Sequence, residues 1–327
     1  ALEFGLFNNR LNGTVEYFNR DSKDLLQSVP ISTVTGFSST LRNIGEINNH
    51  GVEIELSGDI IRTNNLRWSA GLTGSWIRST VTKLYDGQDI IWYDPTGGDA
   101  RAKFIYREGE STLALYGREW AGVEDETGKN VWFLNNDKQP DLTVDGRPAT
   151  YSYSKANEII LGDAHPDFFG GFTTDLTWKG LTVALNFVYK IGGYTYNAVG
   201  RDVNDDGYYW ERIMSKYCYD NRWTPENKTA KYAQRIAIDM EDVNQKSSRH
   251  MNPADYLRLK SLSVAYNLPR AWTSKISIQN ARIFFNGSNL WTLAAHKEYD
   301  PEVNEYGSRG WEIPLGKTFT FGLEFSF

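Results

Sequence analysis

Apolar and polar residues alternate strictly at several places along this chain, most clearly at its end. From 318 to 327, Phe319, Phe321, Leu323, Phe325 and Phe327 fall on one face, and Thr318, Thr320, Gly322, Glu324 and Ser326 on the other. Successive side chains of a strand point to opposite faces, so this segment predicts a strand greasy on one side and wet on the other. The same period recurs at Leu11, Gly13, Val15 and Tyr17, at Val52, Ile54 and Leu56, and at Leu66, Trp68, Ala70, Leu72, Gly74 and Trp76. It returns at Leu181, Val183, Leu185, Phe187 and Tyr189, and at Leu262, Val264 and Tyr266. The opposite faces carry Glu53, Glu55, Arg67 and Glu324, which a dry sandwich core would not accept but the wet lumen of a large barrel would. One stretch is out of phase: Leu257 and Leu259 do not match Leu262 and Val264, which predicts a bulge near Lys260.

The connections come in two sorts. Short ones carry turn residues: Asn8 and Asn9, the stretch 62–65, Lys179 and Gly180, and a link of about ten residues around Pro269. Long ones fall at about 29–42, 84–165, 195–253 and 293–316. Short and long alternate, as in outer-membrane barrels with short periplasmic turns and long external loops. Counted back from Phe327, nine strands run alternately down and up, and every short turn lands on the periplasmic side. An open sheet edge is not tolerated in lipid, so nine strands need completion by others. Residues 1–7 already read as a strand without a leader before them, so the expectation is a fragment of a longer protein.

Composition narrows the classes. No apolar run reaches the ~18 residues of a membrane helix, which excludes helical spans only. The net charge of −6 gives no nucleic-acid signature, and a single cysteine, Cys218, excludes an intramolecular disulfide. The 11 Trp, 19 Tyr and 16 Phe suit interfacial girdles of a barrel as well as a sandwich core with binding aromatics.

Seven segments, in order, resemble the C-terminal third of SusC/RagA-type TonB-dependent outer-membrane transporters: NIGEINNHGVEIEL at 43–56, EGESTLALYG at 108–117, GVEDETG at 122–128, LGDAHPDFFGGF at 161–172, DYLRLKSLSVAYNLP at 255–269, NGSNLWTL at 286–293, and DPEV at 300–303 with the closing FTFGLEFSF. The resemblance implies an all-β transmembrane antiparallel barrel of 22 strands in the bacterial outer membrane, with residues 1–327 forming about nine C-terminal strands. It further implies import of oligosaccharides or peptides, a plug domain and first strands outside this chain, drive from the TonB complex, and a SusD-like surface lipoprotein as lid. The terminal strand resembles the assembly signal of such barrels, with Phe327 as its last residue. Two rival classes are a passive porin or adhesin barrel, lacking plug and TonB box, and a soluble glycan-binding β-protein, which would stay monomeric without detergent.

No catalytic set is evident. His50, His165, His250 and His296 lack metal-ligand spacing, and there is no nucleophile elbow or P-loop. His165 sits beside Asp163 and Asp167, but it precedes Pro166 at a strand entry. Asp202, Asn204, Asp206 and Gly207 form D-x-N-x-D-G, the opening of a calcium loop, which makes calcium the candidate cofactor. The twelfth position is Ile213 instead of glutamate, and a solvated acidic turn is the bland alternative. The connection 84–165 holds fifteen acidic and eight basic residues, a net of −7, consistent with a hydrated surface or with a bias against anionic substrates. Substrate-contact candidates are the loop aromatics Trp92, Tyr93, Tyr116, Trp120, Trp132, Tyr208, Tyr209 and Trp210, whose faces stack on sugar rings or peptide side chains, or simply pack.

Overall fold

The computed structural model describes residues 1–30, 39–96, 101–208, 211, 213–236 and 245–327. Its strands in chain order are β1 (Leu2–Leu6), β2 (Leu11–Pro30), β3 (Ser39–Arg62) and β4 (Leu66–Lys83). Eight short strands follow: β5 (Ile90–Tyr93), β6 (Lys103–Tyr106), β7 (Ala114–Arg118), β8 (Trp120–Val123), β9 (Asn130–Phe133), β10 (Leu142–Val144), β11 (Arg147–Thr150) and β12 (Glu158–Asp163). Then come β13 (Phe168–Trp178), β14 (Leu181–Ile191), β15 (Tyr194–Asn197), β16 (Met251–Pro253), β17 (Tyr256–Asn267), β18 (Asn280–Ala294), β19 (Ser308–Arg309) and β20 (Thr318–Ser326). Three short helices, α1 (Ala198–Val203), α2 (Lys216–Asp220) and α3 (Arg270–Thr273), lie in connections. Among the described residues no helix is long and apolar enough to cross a membrane.

Nine strands form one antiparallel meander, β1-β2-β3-β4-β13-β14-β17-β18-β20. Its register aligns the alternation of each strand with that of the next. Phe4, Gly13, Leu56, Leu72, Phe172, Phe187, Leu259 and Trp291 face one another in a single row across eight strands. The neighbouring row, on the opposite face, is Asn12, Ser57, Gly71, Thr173, Asn186, Ser261, Ser288 and Thr318. Along these two rows one sheet face is therefore apolar and the other polar, and the register is what keeps them so, because a one-residue slip would flip every side chain beyond it. The expected bulge is present: Leu259 pairs with Phe187 and Ser261 with Asn186, so Lys260 is the extra residue. It returns Leu257 and Leu259 to the apolar face occupied by Leu262.

The tight ends lie on one side. Phe7, Asn8 and Asn9 have φ of 54°, 56° and 59° between β1 and β2. Lys179 and Gly180 (φ 44° and 90°) close β13 on β14 as a two-residue hairpin that demands left-handed backbone. The Pro269 link contains α3 and turns at Ser277, with φ 57°, before β18 begins at Asn280. The opposite ends are long. With 20 and 24 residues, β2 and β3 far exceed the ~9–11 residues that cross a bilayer. They run to Pro30 and from Ser39, into the margins of the connection expected at 29–42, whose residues 31–38 lie outside the described ones.

Candidate functional site

The three long connections after β4, β14 and β18 fold into one body on the same side of the sheet. Between β4 and β13, two four-stranded sheets form, β12-β7-β6-β5 and β10-β11-β9-β8, while β15 pairs with β16 and, in parallel, with β19. Ala102, Phe104, Leu115, Ala164, Tyr196 and Ala198 make a shared buried core, against which Trp92, Met251 and Tyr306 pack. Residues of all three connections meet there. The body is seated on the wall through Val81, whose N–H donates to the Glu110 carbonyl at 2.9 Å.

A second tie explains two of the sequence motifs. Arg258 and Lys260 of the R-L-K segment face Asp300 and Glu302 of DPEV. Arg258 Nη1 donates to Glu302 at 2.8 Å, its Nη2 to Asp300, and Lys260 Nζ to Glu302 at 2.8 Å. Two apart on β17, Arg258 and Lys260 share the polar face by alternation, and the bulge places Ser261 on that face as well. The last long connection is thereby fastened to the wall.

The candidate aromatics divide into three groups. Trp132 is 2% exposed and meets Tyr153 edge-on at 5.6 Å. Trp92 stacks on Phe104 at 4.4 Å, with Tyr306 at 5.9 Å. Trp120 donates from its indole to Asn130 at 3.1 Å, and Ser248 accepts its backbone N–H at 2.9 Å. These three tryptophans hold the body together. Tyr93 and Tyr116 instead line one cleft of about 130 Å³ with Lys103, Tyr153, Tyr196 and Lys246. Tyr208 closes a turn through its N–H on the Asp205 carbonyl at 3.0 Å, and Tyr209 and Trp210 lie outside the described residues.

Sequence reasoning missed Tyr153, Tyr196, Lys103 and Lys246. It also missed a cavity of about 800 Å³ between the 197–217 and 295–314 stretches, lined by Tyr217, Lys231, His296, Tyr299, Arg309 and Trp311 among others. No local pattern marks these residues, since distant segments bring them together. Burial pushes the Tyr299 hydroxyl up to about 12 and lowers the His296 imidazole below its usual value, so both stay neutral.

The D-x-N-x-D-G stretch does not fit calcium. Asp206 is fully buried, and its two carboxylate oxygens face the Arg249 guanidinium, with Nη2 at 2.6 Å from Oδ1. Asn130 donates to it at 3.0 Å, and Asn204 Oδ1 accepts from Ser215. A cation is thus already supplied by the chain where calcium would have to sit. Asp202 lies half-buried in α1, and among the described residues no three His, Cys, Asp or Glu side chains are grouped to hold a metal. His165 is likewise structural, its Nε2 3.1 Å from Thr112 Oγ1 and its N–H donating to Asp163 at 2.8 Å. Cys218 is buried, with its thiol pushed up to about 12 by burial, and is chemically quiet. Phe327 is exposed one residue beyond β20.

No family model matches the chain. TonB-dependent receptor P3 of Formosa agariphila is 31% identical across 100% of this chain and 33% of that protein. TonB-dependent receptor SusC of Bacteroides thetaiotaomicron is 24% identical across 100% of this chain and 31% of that protein. The structure of the RagAB peptide transporter superposes with a TM-score of 0.78 at 28% identity, over 99% of this chain and 34% of that one. The chain spans about a third of the length of the relatives it matches. Those relatives are named as receptors and transporters rather than enzymes. With a meander whose faces alternate in register and this likeness along its whole length, the chain is similar to the C-terminal barrel portion of SusC/RagA-type TonB-dependent outer-membrane transporters.

Proposed function

We propose that this chain forms the C-terminal wall and the substrate-facing loops of an importer that carries oligosaccharides or peptides across the outer membrane, driven through TonB. The observation that carries this reading is the gathering of three long connections into one cored body on one side of the sheet, opposite all the short turns. Such a body holds clefts at a fixed height over the lumen, which a passive pore with unstructured loops does not need. The polar face of β3, with Glu53 and Glu55, lines a hydrated passage, while its apolar partners Val52, Ile54 and Leu56 contact lipid. The remaining strands and plug come from the rest of the protein, which also reaches the TonB complex. A SusD-like lipoprotein sits over the loop body as a lid.

The test is uptake in the native host. Import of labelled oligosaccharides or labelled peptides should cease on deletion of the gene and equally on loss of TonB. Uptake that survives loss of TonB would contradict the reading and favour a passive barrel.

A further inference from the structure

The rim of short turns has a charge opposite to that of the connections on the other side of the sheet. The connection 84–165 carries a net charge of −7. The rim stretches 7–10, 59–67, 178–180 and 268–279 hold Arg10, Arg62, Arg67, Lys179, Arg270 and Lys275 against Asp59, a net of +5. Asp59 is already taken, with Arg67 Nε at 2.9 Å and Arg62 Nη1 at 3.6 Å. Arg10, Lys179, Arg270 and Lys275 have no ion pair among the described residues.

Exposed aromatic rings stand among these cations. Phe7, 75% exposed, lies three residues before Arg10, and Trp178, 50% exposed, directly before Lys179. Trp272, 61% exposed, lies between Arg270 and Lys275. The Lys179 ammonium is 5.6 Å from the Trp178 ring centre. A ring beside a long cationic side chain suits the boundary of a bilayer, where the ring meets hydrocarbon and the charge stays among headgroups.

One of these places also has a groove, of about 490 Å³, that runs from Phe7 and Arg10 along the apolar face past Leu11, Leu56, Leu72 and Phe172. Gly58 pairs with both Leu11 and Ala70, and these two small residues leave the depression between the larger ones. Arg10 Nη2 donates to the Asp59 and Ile60 carbonyls at 3.2 and 3.1 Å, which holds the guanidinium at the turn end of the groove. Its Nε and Nη1 have no acceptor among the described residues. An apolar groove that ends on an unused fork of N–H donors matches an acyl chain that ends in a phosphate.

We propose that the rim of short turns binds anionic phospholipid of the periplasmic leaflet, and that the groove at Arg10 seats one acyl chain with its phosphate on the guanidinium. The occupant is a lipid and not an acidic protein, because the groove is continuous with the lipid-facing row of Leu56, Leu72 and Phe172. The proposal goes beyond import and rests only on the wall standing in a membrane.

The experiment uses the complete transporter in mild detergent, so that the nine strands are closed by their partners. Native mass spectrometry counts bound lipid as dioleoylphosphatidylglycerol or dioleoylphosphatidylethanolamine is titrated in. The two carry the same chains and differ in headgroup charge. Phosphatidylglycerol should bind about fivefold or more tightly, the scale of one basic residue at an anionic surface. Arg10→Gln should reduce that preference, and R10Q combined with K179Q, R270Q and K275Q should abolish it. Ala70→Leu, which fills the groove, should weaken phosphatidylglycerol binding as well. Equal binding of the two lipids by the parent protein overturns the proposal, as does a preference that the fourfold variant retains. Uptake has no part in the readout, so a failure here is distinct from a failure of the import reading.

Discussion

The barrel wall and the loop body solve the burial problem in opposite directions. In the wall, the largest apolar side chains point outward, and Phe321 is 78% exposed. In the loop body, Phe104 is fully buried and the shared core excludes water as in any soluble domain. Among the described residues, only Val81, Ala265 and Ala281 of the nine wall strands are buried hydrophobics. Hydrophobic burial stabilises both regions, but the wall buries its surface in lipid and the body buries it in itself. The two regions should therefore fail separately.

The largest expected effect is in the body. Removing Arg249 leaves Asp206 charged and unmatched in a buried site, a loss of about 3–5 kcal/mol. Arg249→Ala should make the external connections open to protease in intact cells while the wall keeps its heat-modifiable gel shift. The double replacement R249M with D206L should recover part of the loss. Co-melting of wall and body would break the comparison.

Next is the wall. Phe321→Arg places a charge on the lipid face and should cost about 2–4 kcal/mol, whereas Thr320→Arg on the polar face should cost little. Folded protein recovered in outer-membrane fractions is the readout, and equal losses would contradict the assignment of faces.

The seam comes third. Arg258→Ala removes the contacts to Asp300 and Glu302, for a loss of about 1.5–3 kcal/mol. Hydrogen exchange should rise in 295–317 and leave β13 and β14 unchanged.

Acid should give the smallest and most diagnostic difference. His250 and His296 are held well or moderately below their usual pKa by burial, and Arg249 adds to this for His250. The unfolded chain then binds more protons, so stability is present above about pH 6.5 and declines as the pH falls below it. Each such group contributes at most about 1.4 kcal/mol per pH unit. Protease sensitivity of the loop body should rise between pH 6.5 and 5 with the wall unaffected, and His250→Gln should flatten the profile.

The same contrast explains what the sequence could and could not reveal. The wall has a period of two imposed by lipid on one side and water on the other, so Leu181 to Tyr189 or Phe319 to Phe325 announce themselves, and even the phase break at Lys260 is readable. That signal fades where β2 and β3 rise beyond the membrane, because Arg20 and Asp21, paired with Asn49 and Asn48, have water on both faces. The loop body uses strands of two to six residues, too short for a period, and its contacts join distant segments. Trp132 looked like Tyr116 in the sequence, but one packs on Tyr153 and the other lines a cleft. The carboxylate of Asp206 suggested a metal only because its partner, Arg249, is 43 residues away.

The central claim is that β20 is a membrane strand with lipid on one face and water on the other. Single cysteines placed from 318 to 325 and spin-labelled in reconstituted outer membrane test it most directly, since the buried Cys218 thiol does not compete for label. Oxygen accessibility should peak at Phe319, Phe321, Leu323 and Phe325, and nickel-chelate accessibility at Thr318, Thr320 and Glu324, two waves of period two in opposite phase. A flat profile, or nickel access on the phenylalanine positions, would contradict the account.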